Sequence, residues 1–150
     1  MAKIKLNFSE ILLLKKEIYG IIDQAQQKVL LAGLLRQKLS LPVKYWLNDL
    51  GENILPQEKR ITDLRNELIT KYGEKQEDGN MGIPATITGE DGKTQVANPK
   101  MLAFTKEYFE FLKEEKEIEY KPFTLENLET IVTEEDYPTF RKLIKNVKEA

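Results

Sequence analysis

A chain of 150 residues is the usual size of one domain and can bury a core without disulfides or metal, so we predict a single domain over residues 1–150. The chain contains neither cysteine nor histidine, which excludes disulfides, thiol catalysis, imidazole or thiolate metal sites and every Ser-His-Asp arrangement. The net charge of −2 is unevenly spread, because residues 1–48 carry eight Lys/Arg against three Asp/Glu, whereas residues 49–140 carry eleven against twenty-one.

This composition favours a soluble protein that works by association rather than by catalysis. Without imidazole, acid–base chemistry would need Asp, Glu, Lys or Tyr side chains with strongly shifted pKa values, so we predict no catalytic residues, no metal and no cofactor. The basic residues are not concentrated into a stripe, which makes nucleic acid an unfavourable partner. The apolar run at residues 11–14 stops at Lys15 and is too short to span a membrane.

The first 38 residues predict a strand followed by a helix. Residues 3–8 alternate polar and apolar side chains, the period of a half-buried strand. Ser9 is a suitable N-cap, and apolar residues then recur at helical spacing down to about Lys38. Gly20 and Gly33 weaken this helix, so either it bends there or another backbone packs closely against it.

Residues 40–72 predict a second, longer helix. Leu41-Pro42 suits a helix start, and a heptad seam follows at Val43, Leu47, Leu50, Ile54, Gln57, Ile61, Leu64, Leu68 and Lys71. Pro56 should kink or interrupt the helix near residues 52–55, and two helices in tandem are an equal alternative. We expect the seam to pack on the first helix as an antiparallel pair, with a coiled coil facing a partner as the alternative.

The middle of the chain predicts a polar loop, a hairpin, a helix and a strand. Residues 74–80 are polar, and two short strands flank the Asp91-Gly92 turn, so we predict a protruding β-hairpin or a flexible arm at residues 83–97. Asn98-Pro99 begins a third helix to about Lys116. Its expected buried side is Leu102, Tyr108, Phe109 and Leu112. Residues 117–123 alternate like a strand that pairs with the N-terminal one.

The last thirty residues predict two short helices. The first follows Thr124 with Leu125, Leu128 and Ile131, and the second has Thr133 as its N-cap and then buries Tyr137, Phe140, Leu143, Ile144 and Val147. The expected fold is therefore α+β and predominantly helical, a long helical hairpin with a small antiparallel sheet and the hairpin at residues 83–97.

Two motifs that suggest ligand binding lack the residues or the spacing that such binding requires. Residues 89–94 end like a phosphate-binding loop, but Ile87 stands where that loop needs glycine, and two carboxylates would repel phosphate. The acidic runs at residues 114–119 and 134–136 lack the spacing of a calcium loop. We interpret them as a hairpin tip, solvated faces and helix caps.

Aromatic residues are the best candidates for a contact surface. On the third helix, Phe104, Tyr108 and Phe111 share one face while Phe109 lies beside it, so not all of them can enter one core. An exposed aromatic patch is typical of a protein–protein interface. We predict protein-binding roles for Trp46, Tyr108, Phe111 and Tyr120.

The order of several segments resembles a family of small proteins of unknown function encoded by bacteriophages and prophages. These segments are the Lys-Ile-Lys-Leu start, residues 66–75, the turn Glu77-Asp78-Gly79-Asn80 and the strand Glu117-Ile118-Glu119-Tyr120. Pro56 and the Gly20/Gly33 pair depart from the family pattern, and the family has no catalytic residues to transfer.

The resemblance implies a phage protein in the cytoplasm of the bacterial host. We expect a virion-associated or assembly factor that binds a phage structural protein or further copies of itself as a homo-oligomer, with incorporation into the virion. The alternative is an inhibitor that binds a host defence or regulatory protein, its acidic middle imitating nucleic acid. An enzyme that uses carboxylates and a metal is the least favoured hypothesis.

Overall fold

The computed structural model describes residues 2–122, 128, 131–133 and 135–148. Its strands and helices, in chain order, are β1 (Ala2–Asn7), α1 (Phe8–Tyr19), β2 (Ile21–Asp23), β3 (Lys28–Leu31), α2 (Leu41–Tyr72), β4 (Glu74–Lys75), β5 (Met81–Gly82), β6 (Thr86–Thr88), β7 (Gln95–Ala97), α3 (Pro99–Phe111), β8 (Glu115–Tyr120) and α4 (Pro138–Lys148). A 3₁₀ turn, Leu34–Arg36, precedes α2. Helices account for 52% of the described chain and its sheets are two-stranded and antiparallel, which confirms the predicted α+β, predominantly helical fold.

The chain divides into two compact units. Unit 1 comprises Met1–Glu58 and Glu115–Ala150, and unit 2 comprises Lys59–Glu114. Helix α2 contributes its first eighteen residues to unit 1 and the remainder to unit 2.

One sheet of unit 1 pairs β1 with β8, as the alternating patterns predict. Ile4 lies opposite Ile118, and Leu6 lies opposite Lys116. One face carries the buried side chains of Ile4, Leu6, Ile118 and Tyr120. On the other face the Lys3 ammonium lies 3.4 Å from the Glu119 carboxylate. β8 runs from Glu115 to Tyr120, so it begins two residues before the predicted strand 117–123 and does not include residues 121 and 122, while Phe123 lies outside the described residues.

Helix α1 begins at Phe8, so the prediction of Ser9 as the N-cap is wrong. The Asn7 side chain accepts a hydrogen bond from the Glu10 N–H at 2.8 Å, and the Glu10 carboxylate accepts one from the Asn7 N–H at 3.0 Å. This reciprocal capping box satisfies two amides that would otherwise lack partners at the helix start.

Helix α1 ends at Tyr19, and the prediction that it continues to Lys38 is wrong. Gly20 adopts φ of 86°, which leaves the helical region. A Cβ on Gly20 would lie 2.7 Å from the Gly33 nitrogen, so the two backbones are in close contact. Close backbone approach is one of the two explanations expected for this glycine pair. Residues 21–31 form the β2–β3 hairpin instead, where the Asp23 carboxylate accepts the N–H of Ala25 at 3.0 Å.

Helix α2 is one continuous helix that runs through Pro56, so neither an interruption at residues 52–55 nor a tandem pair is present. The early seam positions Val43, Leu47, Leu50 and Ile54 are buried. Within unit 1, α2 packs on α1, as the intramolecular interpretation of the seam predicts. Gly51 lies so close to the Tyr19 hydroxyl that a Cβ there would collide with it. The seam is not buried throughout, because Leu64 is exposed.

Unit 2 contains two hairpins, of which the sequence predicts one. β6 pairs with β7, with Ile87 opposite Val96, and both strands are exposed, as expected for a hairpin within residues 83–97. β4 pairs with β5 in a second hairpin. The first two residues of the predicted loop 74–80 form one of its strands, and the two residues that follow the loop form the other.

Helix α3 begins as predicted and ends earlier, at Phe111 instead of Lys116. The Asn98 side chain accepts a hydrogen bond from the Lys100 N–H at 3.0 Å, which confirms the N-cap. The predicted buried side is wrong, since Leu102 and Phe109 are 62% and 59% exposed while Phe104 is buried.

Helix α4 belongs to unit 1 and buries Phe140, Leu143 and Ile144. The Thr133 hydroxyl accepts a hydrogen bond from the Asp136 N–H at 3.1 Å, so Thr133 fixes the turn before the helix and does not cap the helix itself. Of the short helix predicted after Thr124, most residues lie outside the described part of the chain.

Candidate protein-binding surface

The first turns of α2 present apolar side chains on two opposite faces. Because α2 has 3.6 residues per turn, Val43, Leu47 and Leu50 share the buried face. Leu41 and Tyr45, one turn apart, lie on the opposite face and are 82% and 64% exposed. Core packing therefore explains the first set and leaves Leu41 and Tyr45 without a buried environment. We call the exposed residues Leu41, Tyr45, Asn48 and Glu52, together with the half-buried Asp49, the α2 surface.

Trp46 holds Tyr45 in a defined orientation. The two rings meet edge to face, with centroids 5.1 Å apart and planes at 88°. The Lys121 ammonium lies 5.1 Å from the centroid of the half-buried Trp46 ring, which places a cation on its electron-rich face. Tyr45 is thus exposed and oriented at the same time.

The polar half of the α2 surface is acidic. Tyr45, Asn48, Asp49 and Glu52 line a shallow depression. Burial raises the pKa of the neighbouring Tyr19 hydroxyl, and the negative charge of Glu52 raises it further, so this phenol stays neutral beside the acids. The depression offers carboxylate and amide acceptors next to an aromatic ring.

The four predicted contact residues differ in their surroundings, two in unit 1 and two in unit 2. Trp46 adjoins the α2 surface. Tyr120 is only 3% exposed, and its hydroxyl donates a hydrogen bond to the Leu143 carbonyl at 3.0 Å, so this side chain serves the core of unit 1. The sequence pattern missed Leu41 and Tyr45, although both lie out of phase with the heptad seam, which is the signal that could have identified them.

The other two predicted contact residues, Tyr108 and Phe111, are half-buried in unit 2. The Tyr108 ring stacks on Phe104 with centroids 5.7 Å apart, and the Arg65 guanidinium carbon lies 5.9 Å from its centroid. Much of the Tyr108 ring is therefore engaged within its own unit.

The loop that ends like a phosphate-binding motif is the tip of the β6–β7 hairpin, as interpreted from the sequence. The Asp91 carboxylate accepts the hydroxyl of Thr94 and the N–H groups of Lys93 and Thr94, the latter at 2.9 and 2.8 Å. These bonds, that of the Thr94 side chain foremost, lower the pKa of Asp91 to about 2. The N–H groups that a phosphate would need are therefore already bonded to the Asp91 carboxylate.

Glu17 is a buried acid of unit 1, and it accepts hydrogen bonds from backbone amides of the same unit. Its side chain is fully buried, and burial raises its pKa, an effect that hydrogen bonds from Phe140 and Thr139 partly oppose. In the described part of the chain, no group of three or more acidic side chains is placed to hold a metal ion. Among the same residues, no helix combines the length and hydrophobicity required to cross a membrane.

No protein-family model, curated protein or solved structure matches this chain.

Proposed function

We propose that this chain acts without catalysis by binding another protein, as a virion-associated or assembly factor of a bacteriophage. The observation that carries the binding proposal is the exposure of Leu41 and Tyr45 on the face of α2 that points away from the core. The resemblance of the sequence to small phage proteins supports the phage setting.

The α2 surface has the composition of an interface centre. Burial of a large apolar side chain contributes about 1.5–3 kcal/mol, so Leu41 and Tyr45 together offer a gain that matters for affinity. Tyr and Trp are enriched among the residues that dominate binding energy. Because Trp46 already orients Tyr45, a partner would lose less free energy in ordering that ring.

The acidic half of the α2 surface indicates which side chains a partner needs. Along α2, Asp49 lies about one turn and Glu52 about two turns from Tyr45, and both line the same depression. A partner that places an apolar side chain against Tyr45 and a lysine or arginine against these carboxylates complements both halves of the α2 surface. Charge complementarity of this kind speeds association and selects among partners.

Quantitative mass spectrometry of particles and assembly intermediates from the encoding phage tests the proposal. We expect the wild-type chain in a fixed ratio to a structural protein. Tyr45→Ala should reduce that ratio about thirtyfold, since a central aromatic contact is worth about 2 kcal/mol. Leu102→Ala is the matched control, because Leu102 is equally exposed but lies on α3 of unit 2.

Two results would contradict the proposal. One is a wild-type chain absent from both particles and intermediates, and if the chain instead inactivates one purified host protein, the host-directed inhibitor is the correct class. The other is Tyr45→Ala incorporated as efficiently as wild type, which would remove the α2 surface from the interaction.

A further inference from the structure

Strand β8 has one edge paired with β1 and a second edge with no strand beside it in the part of the chain that the structure describes. Glu115, Lys116, Glu117 and Glu119 are exposed along it. Residues 116–119 line a surface groove whose other wall is formed by Asn53 and Gln57 of α2, all within unit 1. The open edge of β8 therefore faces a groove.

Two hydrogen bonds indicate which backbone groups point into this groove. The Asn7 N–H donates to the Glu10 carboxylate at 3.0 Å, and the Lys3 carbonyl accepts from the Asn146 amide at 3.2 Å. In an antiparallel pair, residues that direct their backbone groups away from the partner strand lie opposite residues that do the same. Asn7 and Lys3 lie opposite Glu115 and Glu119. The N–H and C=O groups of residues 115, 117 and 119 thus point towards the open edge.

The wall formed by α2 matches the spacing of a strand. Asn53 and Gln57 are four residues apart, a rise of about 6 Å along a helix. Two residues of a strand span about 6.8 Å, so the two amides can reach successive outward-pointing backbone groups of an added strand. Each amide both donates and accepts hydrogen bonds, and neither has a partner among the described residues.

The charge on β8 selects the strand that can pair there. The Lys3 ammonium of β1 lies 3.4 Å from the Glu119 carboxylate and 3.9 Å from that of Glu117, so the acids of β8 pair with a cation on the neighbouring strand. A second copy of β8 would place carboxylates opposite carboxylates, an arrangement that destabilises pairing. A strand with lysine or arginine at alternate positions places cations opposite them instead.

We propose that the open edge of β8 binds an extended segment of a partner protein that carries lysine or arginine at alternate positions. The segment adds a third strand to the β1–β8 sheet, and Asn53 and Gln57 bond its far edge. This site is separate from the α2 surface, and its failure would leave the proposal for Leu41 and Tyr45 standing.

Titration of the isotope-labelled full chain with a six-residue peptide of alternating threonine and lysine tests the proposal by NMR. We expect saturable shifts of the amides of residues 115–120 and none with a peptide of alternating threonine and glutamate. Glu117→Gln should weaken binding about threefold, as expected for one exposed ion pair. Glu90→Gln, the same change at an exposed acid of unit 2, should leave binding unchanged.

Two further sets of variants test the geometry. Asn53→Ala with Gln57→Ala should weaken binding about tenfold without loss of folding, because both side chains lie at the surface of the groove. Glu117→Pro removes an N–H that points away from β1, so the chain should fold and lose peptide binding. Lys116→Pro removes an N–H that bonds to β1 and should lower the unfolding midpoint far more.

The proposal is overturned by any of four results. These are the absence of saturable shifts, equal binding of the glutamate peptide, full binding by the Asn53/Gln57 variant, and equal destabilisation by proline at positions 116 and 117. A concentration-dependent dimer that Glu117→Gln strengthens would show that the edge pairs with a second copy instead.

Discussion

The carboxylate of Glu17 in α1 accepts a hydrogen bond from the backbone N–H of Phe140 at 2.8 Å, although 123 residues separate them. Its second oxygen accepts the N–H of Thr139 at 3.2 Å. Both amides belong to the first turn of α4, where helical N–H groups have no partner within the helix. Glu17 therefore caps α4 from a distant part of the chain, and the positive end of the helix dipole favours its charge.

Glu17→Ala should destabilise the chain strongly. The change leaves two buried N–H groups without acceptors and a cavity in unit 1, at a cost of about 2–4 kcal/mol. Urea unfolding followed by circular dichroism measures it. Glu107→Ala, at an exposed position of α3, is the control and should change the unfolding free energy by less than about 0.5 kcal/mol. Equal effects of the two changes would refute the capping role.

The raised pKa of Glu17 predicts how stability changes with pH. Burial lifts the pKa above the usual 4.5, so the folded chain binds this proton more tightly than the unfolded chain does. That contribution is complete below pH 4.5 and is lost as the pH rises through the folded-state pKa. Tyr137, the titratable neighbour, stays neutral in this range because burial raises its pKa above 10.0.

Wild type and Glu17→Gln should therefore differ in slope between pH 4 and pH 8. The stability of wild type relative to Glu17→Gln should fall as the pH rises, because glutamine has no proton to release. Unfolding free energies from urea titrations at several pH values provide the comparison. A relative stability that rises with pH would mean that the hydrogen bonds outweigh burial in setting this pKa.

Local sequence patterns predicted some elements and failed where distant contacts decide the structure. The β1–β8 pair was predictable because both strands alternate apolar residues such as Ile4 and Ile118. The end of α1 was not, because the spacing of Ile21, Ile22 and Val29 suits a helix as well as a hairpin. The contact between Gly20 and Gly33 decides between them.

Local sequence patterns also do not tell which candidate contact residues are exposed, or that Glu17 caps α4. Trp46 was identified by residue type, and it does adjoin the α2 surface. Tyr120 was identified for the same reason, but its hydrogen bond to the Leu143 carbonyl places it in the core, a contact that no local pattern contains. In the sequence Glu17 looks like one more charged residue after Lys15 and Lys16, but in the structure it is buried and bonded to the first turn of α4.

Substitutions at three glycines separate the steric cost of an added Cβ from the conformational cost of a positive φ. Gly33 has an ordinary φ of −66°, yet a Cβ there would collide with the backbone of Tyr19, so Gly33→Ala should cost about 2–4 kcal/mol. Gly79 has φ of 86° with open space around it, so Gly79→Ala should cost only about 1–2 kcal/mol.

Gly20→Ala combines both penalties and should be the most destabilising of the three. Thermal unfolding of the set gives the order, and a Gly33→Ala variant as stable as wild type would show that the backbones can move apart at this place.

The orientation of α3 predicts which of its aromatic residues stabilises unit 2. Phe104 is buried and stacks with Tyr108, so Phe104→Ala should cost about 3–5 kcal/mol. Phe109→Ala removes a ring that is mostly in solvent and should cost less than about 1 kcal/mol. Because the two substitutions delete the same atoms from one helix, they differ only in burial. Urea unfolding of both variants tests the assignment, and a larger loss from Phe109→Ala would mean that α3 is rotated, with the sequence-predicted face turned to the core.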